Sequence, residues 1–474
     1  MDPRQLIHNT HREGLQAFRS ADPHLRRLSG QALVWEHALL DRLPDREPGV
    51  YTLGGARQVG KSTLLKQWMA KLVGAGHDAE AIAFFSGELI DDHHVLHRML
   101  GEELDATPSA DLRFLLIDEV SYVAGWDRAI KFLADAGALE RAVVLLTGSD
   151  LGLIRDLRSF LPGRRGRAAE VDFHLHPLTW LETCALKGAL DAEEREALAT
   201  DGRFDPRALT RGGWDRCWRS FDEYLVHGGF LTALNDFHVE CIVRPATLAI
   251  YSDWIRGDFL KRGKRETYLR EVLAAIGTRL GSHMSWNALA RDLSVDHPAT
   301  VADYVDLLER MDAVFVQRAL REDRLVGAPK KARKVAFTDP FILHAARSWT
   351  EPSADPYRDR IQPFLADPER ASAVVESVVA SHARRAFPTY YIKAAGGEVD
   401  IAIVSGRRFF PIEVKWRTQL RPADSKQLAK YDRGTVVART EAVHEAAGVP
   451  VLPLPRALAL LGKGVWMVEE GAAG

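Results

Sequence analysis

Between residues 50 and 150, short and nearly continuous apolar runs alternate with longer stretches whose apolar positions recur every three or four residues. The runs at 50–53, 81–85, 114–117 and 142–147 predict strands. Strands this apolar are buried on both faces, and their alternation with helices predicts a mainly parallel sheet covered on each side. Residues 1–45 read as amphipathic helix, with Leu25, Leu28, Leu33, Leu39 and Leu40 spaced among Arg and His. Residues 178–265 read as several helices broken by a loop at 212–213, and 266–347 as three helices followed by a strand. Four prolines, Pro352, Pro356, Pro363 and Pro368, predict a linker or docking arm over 352–370. Beyond 371 the α/β pattern returns, and no repeat or low-complexity tract interrupts the chain.

At 474 residues the chain exceeds one hydrophobic core. The pattern divides it into an N-terminal helical segment (1–45), a domain of alternating strands and helices (46–185), a helical lid or connector (186–265), a helix–turn–helix segment with a strand wing (266–348) and a small α/β domain (349–474). The fold class expected is therefore α/β. The formal net charge of −2 makes any polyanion site a local patch rather than a property of the whole. The three cysteines have no paired spacing, which predicts a reducing compartment. The opening residues MDPRQLIHNTHREG are polar, and charged residues interrupt the longest apolar runs, so the expectation is a cytoplasmic protein with no membrane partner.

The strand at 50–53 leads into Gly55-x-x-x-x-Gly60-Lys61-Ser62, which opens a helix at 63–72. Glycines in this position let backbone N–H groups curl around phosphates, and the helix N-terminus adds positive potential. Gly55, Ala56, Arg57, Gln58, Val59, Gly60, Lys61, Ser62 and Thr63 are the predicted cradle for ATP. Lys61 reaches the β- and γ-phosphates and the Ser62 hydroxyl ligates Mg²⁺. The strand LRFLLIDEV ends in Asp118, a second Mg²⁺ partner, and Glu119, placed to polarise the attacking water. The next strand ends at Thr147, Gly148 and Ser149, and either Thr147 or Ser149 can sense the γ-phosphate; Ser149 is the residue chosen. Arg164, Arg165 and Arg167 follow. Arg164 suits a finger supplied to a neighbour's γ-phosphate, or equally a solvated basic turn.

These residues, in this order, resemble a prokaryotic AAA-type ATPase family whose members join a P-loop domain to a C-terminal domain of unknown function. The resemblance covers nearly the whole chain after residue 35. Its marks are GGARQVGKST, LLIDEVSYVAGWDRAIKFLAD, TGSD, LPGRRGR, HPLTWLE, EYLVHGGF, KVAFTDP, and GEVDIAI with PIEVK. The resemblance implies ATP binding and hydrolysis, a winged-helix segment, and a C-terminal fold similar to PD-(D/E)XK nucleases.

In the predicted winged helix, residues 285–293 and 299–311 form the helices. Trp286, Leu289, Leu293, Val301, Val305 and Leu308 form its core, and strands at 314–320 and 335–337 form the wing. The wing loop carries Lys330, Lys331, Arg333 and Lys334, a predicted phosphate contact. Asp303, Asp306 and Glu309 on the second helix argue against base reading. In the C-terminal domain, Glu413 and Lys415 are one residue apart on a strand and so face the same way. Asp400 on the preceding strand and Glu376 on a helix complete a predicted Mg²⁺ site, with Lys415 activating water; Gln427 and Tyr431 are candidate assistants.

The leading expectation is an ATP- and Mg²⁺-dependent ATPase acting on DNA through backbone contacts, with a metal-binding, nuclease-like C-terminal domain. A homo-oligomer, a ring of about six, follows from an arginine that must come from a neighbour. Two alternatives stand beside it: a nucleotide-dependent protein-binding switch with an inactive nuclease-like scaffold, and a DNA nuclease gated by ATP.

Overall fold

A computed structural model describes residues 3–108, 110–152, 161–200, 204–295, 297–394 and 397–466. The chain divides into two units. The first is Met1–His176 together with Arg310–Asp312, and the second is Pro177–Glu309 with Ala313–Gly474.

In the first unit, β1 (Gly49–Gly54), β2 (Ile82–Ser86), β3 (Arg113–Asp118), β4 (Ala142–Thr147) and β5 (Asp172–His174) form one parallel sheet in the order β2-β3-β4-β1-β5. The α/β expectation holds, and the four predicted strands shift at their ends by no more than one residue. Alternation along each strand sorts the core into two layers. Tyr51, Leu53, Phe84, Phe114, Leu116 and Leu145 pack against Leu64, Leu65, Trp68, Met69 and Leu72 of helix Lys61–Gly74. Val50, Phe85, Leu115, Ile117, Val144 and Leu146 face Leu96, Leu100, Ile130 and Leu133 on the other side. Each such side chain contributes about 1.5–3 kcal/mol through removal from water.

Lys66 lies on the buried face of that same helix. Its ammonium donates to the His8 carbonyl at 2.6 Å, stands 3.3 Å from Asp22 and lies 3.5 Å over the Phe84 ring. Both partners of the ion pair are fully buried. Asp22 also caps helix Pro23–Ser29, so one carboxylate ties the N-terminal helices to the sheet domain. Burial pulls the Lys66 pKa down to about 8 against the opposing pull of Asp22.

The second unit begins with helices between Trp180 and Thr278. β6 (His283–Met284), β7 (Val314–Arg318), β8 (Leu320–Arg321), β9 (Val326–Gly327) and β10 (Arg333–Phe337) follow, with β6-β10-β7 antiparallel. Helices Trp286–Asp292 and Pro298–Arg310 lie between β6 and β7. Leu289, Val301, Val305 and Leu308 are buried as expected, whereas Trp286 and Leu293 are half-buried. Asp296, in the predicted turn, lies outside the described residues. The proline-rich stretch is not a free linker. Helical turns Tyr357–Ile361 and Gln362–Ala366 bury Ile361 and Phe364, and the Arg347 guanidinium lies 3.9 Å over the Phe364 ring. Prolines at the start of a turn preset φ and cost no hydrogen bond, so four of them need not mean a linker.

A second, mixed sheet follows. β11 (Thr389–Ala394), β12 (Gly397–Ser405), β13 (Arg408–Lys415), β14 (Thr435–Ala438), β15 (His444–Ala446) and β16 (Val449–Pro453) run in the order β11-β12-β13-β14-β16-β15. β11, β12 and β13 are antiparallel, and β13, β14 and β16 are parallel.

Three of the short sequence phrases meet inside this unit. Gly228 and Gly229 of EYLVHGGF lie between Leu178 of HPLTWLE and Asp339 of KVAFTDP. Asp339 accepts hydrogen bonds from the N–H groups of Gly229 at 2.8 Å and Phe341 at 2.9 Å. A Cβ on Gly229 would stand 2.0 Å from the Leu178 carbonyl oxygen. Gly229→Ala is therefore expected to destabilise the second unit by about 3 kcal/mol or more. Gly257→Ala, in helix Pro245–Lys261 with open space around the new methyl, should stabilise by about 0.5–1 kcal/mol. Urea unfolding of both variants checks the pair; equal effects would show that the close approach at Gly229 is not what requires glycine.

Candidate functional site: a P-loop centre and a carboxylate cluster

Parallel strands bring their C-terminal ends to one edge of the sheet, and the predicted nucleotide residues gather there. The loop after β1 turns at Gly55 (φ +149°), where a Cβ would stand 2.5 Å from the Leu175 carbonyl oxygen. Gly60, with φ +109°, then starts helix Lys61–Gly74. The Lys61 ammonium is buried inside the loop and donates to the carbonyls of Gly55 at 2.8 Å and Ala56 at 3.0 Å. Burial lowers its pKa, while Glu119 and Asp118 act to keep it charged.

Ser62 Oγ donates to Asp118 Oδ2 at 2.6 Å, and Thr147 Oγ1 donates to Asp118 Oδ1 at 2.6 Å. Thr147 Oγ1 also accepts from the Glu119 N–H at 2.8 Å. Glu119 Oε1 in turn accepts from Ser149 Oγ at 2.5 Å and from the Ser149 N–H at 3.0 Å. The two sensor candidates thus divide the work: Thr147 orients Asp118, and Ser149 orients Glu119. Burial would raise the Glu119 pKa, but Lys61 and the Ser149 hydrogen bonds outweigh it and hold the carboxylate below its usual range. Arg57 donates to the Tyr122 hydroxyl at 2.5 Å at the mouth of the loop. The donor set fits a nucleoside triphosphate with Mg²⁺: a hydroxyl and a carboxylate in contact for the metal, an ammonium for the phosphates and an ionised carboxylate beside them.

The basic cluster separates into different roles. Arg165 is buried, paired with Asp172 at 2.6 Å and hydrogen-bonded to the Val50 and Val171 carbonyls, so it is a sheet-edge brace. Arg164 is partly exposed and paired with Asp135. Sequence reasoning missed Asp150, which forms a two-pronged pair with Arg310 at 2.7 and 3.0 Å immediately after Ser149. It also missed Asp312, 2.9 Å from His174. Nothing local in the sequence connects positions so far apart.

In the second unit Asp400, Glu413 and Lys415 come together as predicted. Lys415 Nζ donates to Glu413 Oε1 at 2.6 Å and lies 3.9 Å from Asp400 Oδ2, which accepts from the Val414 N–H at 2.9 Å. Glu413 Oε2 is buried with no hydrogen-bond partner among the described residues. Burial, with Asp400 nearby, pushes the Glu413 pKa up to about 7. A buried carboxylate oxygen without a hydrogen-bond partner among the described residues, beside a second carboxylate, fits a divalent cation.

Glu376 is placed differently. It accepts from Lys334 at 2.8 Å, and burial and Asp400 push its pKa up to about 8. Lys334 is accordingly a correction to the predicted basic wing. It is 2% exposed, its side chain turned inward from β10, and a buried ammonium cannot reach a nucleic-acid phosphate. Burial would lower its pKa, but Glu376, Asp400 and Glu398 outweigh that and raise it. Arg333 is half-buried, 4.5 Å over the Trp286 ring, which leaves Lys330 and Lys331 as the exposed pair of the four predicted cations. Tyr431 lies against Phe409 and Glu322, and Gln427 against Gly397 and Lys430.

Three families match successive parts of the chain. One described as an AAA domain covers residues 47–184; two described as domains of unknown function (DUF8612 and DUF4143) cover 219–353 and 371–457. An uncharacterised protein of Haemophilus influenzae is 22% identical over 272 residues, which are 55% of this chain and 60% of that one. Among solved structures, a Walker-type ATPase of Pyrococcus abyssi aligns at 15% identity with a TM-score of 0.43, over 65% of this chain and 93% of that one. The ORC2 protein of Aeropyrum pernix aligns at 14% identity with a TM-score of 0.34, over 72% and 94%. With the matched AAA domain, the parallel sheet and the phosphate loop all in the same residues, the chain carries an AAA-type P-loop ATPase domain at 47–184.

Proposed function

We propose that this protein binds Mg²⁺–ATP and hydrolyses it, and that the second unit couples this cycle to DNA through a metal-binding, nuclease-like site. The observation that carries the reading is the hydrogen-bond chain Ser62–Asp118–Thr147–Glu119–Ser149. It fixes one carboxylate for the metal and a second, ionised one for water, with the Lys61 ammonium close by.

The roles follow from position. Ser62 and Asp118 hold Mg²⁺, Lys61 neutralises the β/γ-phosphates, and the N–H groups from Gly55 to Thr63 wrap the phosphates. Glu119, kept ionised by Lys61 and Ser149, accepts a proton from the attacking water. Lys61→Ala should abolish ATP hydrolysis and weaken nucleotide binding. Glu119→Gln should leave binding intact and slow turnover by about 100-fold or more. Steady-state ATPase rates and fluorescent-nucleotide titration read both effects, and normal turnover in Glu119→Gln removes its catalytic role.

Arg164 remains the candidate finger, freed from Asp135 and given to a neighbouring subunit of a homo-oligomeric ring. If Arg164→Ala and Lys61→Ala are each inactive alone, mixing them should recover activity, because a subunit with an intact P-loop can receive an arginine from its neighbour. Self-contained sites would leave the mixture dead.

Asp400 and Glu413 would hold Mg²⁺ or Mn²⁺, with Lys415 positioned to orient water and offset phosphate charge. Calorimetry should show Mn²⁺ binding to the full chain that Asp400→Ala loses, with ATP turnover unchanged. Lack of an Asp400-dependent heat at millimolar Mn²⁺ would reduce the domain to a scaffold.

A further inference from the structure

The C-terminal site holds more carboxylates than sequence spacing indicated, and they fall into two groups that share Asp400. One group is Asp400 Oδ2 with Glu413, attended by Lys415 at 3.9 and 2.6 Å. The other is Asp400 Oδ1 with Glu376 and Glu398. At its centre lies the Lys334 ammonium, 2.5 Å from Glu398 Oε1, 2.8 Å from Glu376 Oε1 and 3.7 Å from Asp400 Oδ1.

Lys334 is held there by its backbone as well as by its charge. β10 pairs with β7 through Lys334 and Gln317, and Gln317 Nε2 donates to the carbonyls of Tyr390 at 2.7 Å and Asp400 at 3.0 Å. Glu398 is fixed from its other oxygen by His283 Nδ1 at 3.0 Å. Two carboxyl oxygens within 2.8 Å of this buried cation, and a third at 3.7 Å, make an acidic surrounding of the kind that also attracts a divalent ion. The Asp400–Glu413 group, in contrast, retains Glu413 Oε2, which has no hydrogen-bond partner among the described residues.

We propose that the Lys334 ammonium is a built-in second cation of this site, so that the domain takes one divalent ion, at Asp400 and Glu413, where two-metal enzymes take a pair. The inference rests on the reading of Asp400 and Glu413 as a metal site. Its chemical consequence concerns the phosphate opposite: a tethered ammonium supplies one positive charge and hydrogen-bond donors, but no acidic bound water.

The test is a count of bound Mn²⁺ by electron paramagnetic resonance on the full chain without nucleotide, taking as Asp400-dependent the ions lost in Asp400→Asn. The native protein should hold about one such ion and Lys334→Met about two, and adding Glu376→Gln to Lys334→Met should return the count to about one. A native count of two, or a Lys334→Met count that stays at one, overturns the assignment of Lys334 while leaving the metal site standing. A native count of zero that rises to one overturns the division into two positions. No Asp400-dependent ion in any folded variant overturns the metal reading together with the inference. Should Lys334→Met fail to fold, amine acylation of the native protein decides: Lys334 should stay unlabelled with and without saturating Mn²⁺, and labelling that appears with Mn²⁺ overturns the proposal.

Discussion

A charge taken out of water must meet an opposite charge or a full set of hydrogen-bond partners, because the desolvation cost otherwise reaches several kcal/mol per ion. Three buried lysines show how this chain meets that requirement. Lys66 is met by Asp22, the His8 carbonyl and the face of Phe84, and the result pins the N-terminal helices onto the sheet. Lys61 is met by two carbonyls of its own loop, with Asp118 and Glu119 supplying the field. Lys334 is met by three carboxylates drawn from a helix and a strand beyond its own sheet. In each case the counter-charge comes from a different element, so satisfying the ion also fixes how those elements pack.

The same economy appears at the strand tips. Glu119 adopts φ +52°, an uncommon conformation for a residue with a side chain. It is fixed from both ends: Thr147 accepts from its N–H and Ser149 donates to its carboxylate. Gly87 clears the space on the other side, since a Cβ there would stand 2.5 Å from the Glu119 carbonyl oxygen. A left-handed residue costs about 1–3 kcal/mol when it is not glycine, and such a cost persists where neighbours over-determine the geometry. Here the conformation turns the chain so that two consecutive acids, Asp118 and Glu119, face different hydroxyls.

Much of this was legible in the sequence where periodicity and local motif carried it. The four long strands of the first sheet are apolar on both faces, which only a covered parallel sheet explains, and the phosphate loop sits between a strand and a helix. Asp400, Glu413 and Lys415 were legible for a similar reason, since two antiparallel strands and a one-residue interval leave little freedom. What escaped was pairing over long separations. A run such as PKKARK reads as a solvated loop because alternation along β10, with Lys334 turned inward and Arg333 outward, follows from a strand start that the charges conceal. Glu398 was passed over for the same reason: its value lies in Lys334 and His283, neither near it in sequence. The helical turns of the proline-rich stretch were not legible because proline marks the start of a helical turn as readily as it marks a linker.

The fate of the wing changes what the nucleic-acid reading demands. With Lys334 buried and Arg333 lying on Trp286, Lys330 and Lys331 are the exposed pair of the four predicted cations, and the second helix exposes the acids Asp303 and Asp306. Two phosphate contacts give a salt slope of only about −1.8, against about −5 to −9 for proteins making 6–10 contacts. A single chain using this loop alone would therefore lose hold of DNA at moderate salt. Repetition around a homo-oligomeric ring multiplies the contacts without adding a residue, and the gain in avidity needs no stronger individual site. On the proposed reading, DNA binding through this loop would therefore depend on assembly into a ring, since two contacts per chain would give little affinity alone.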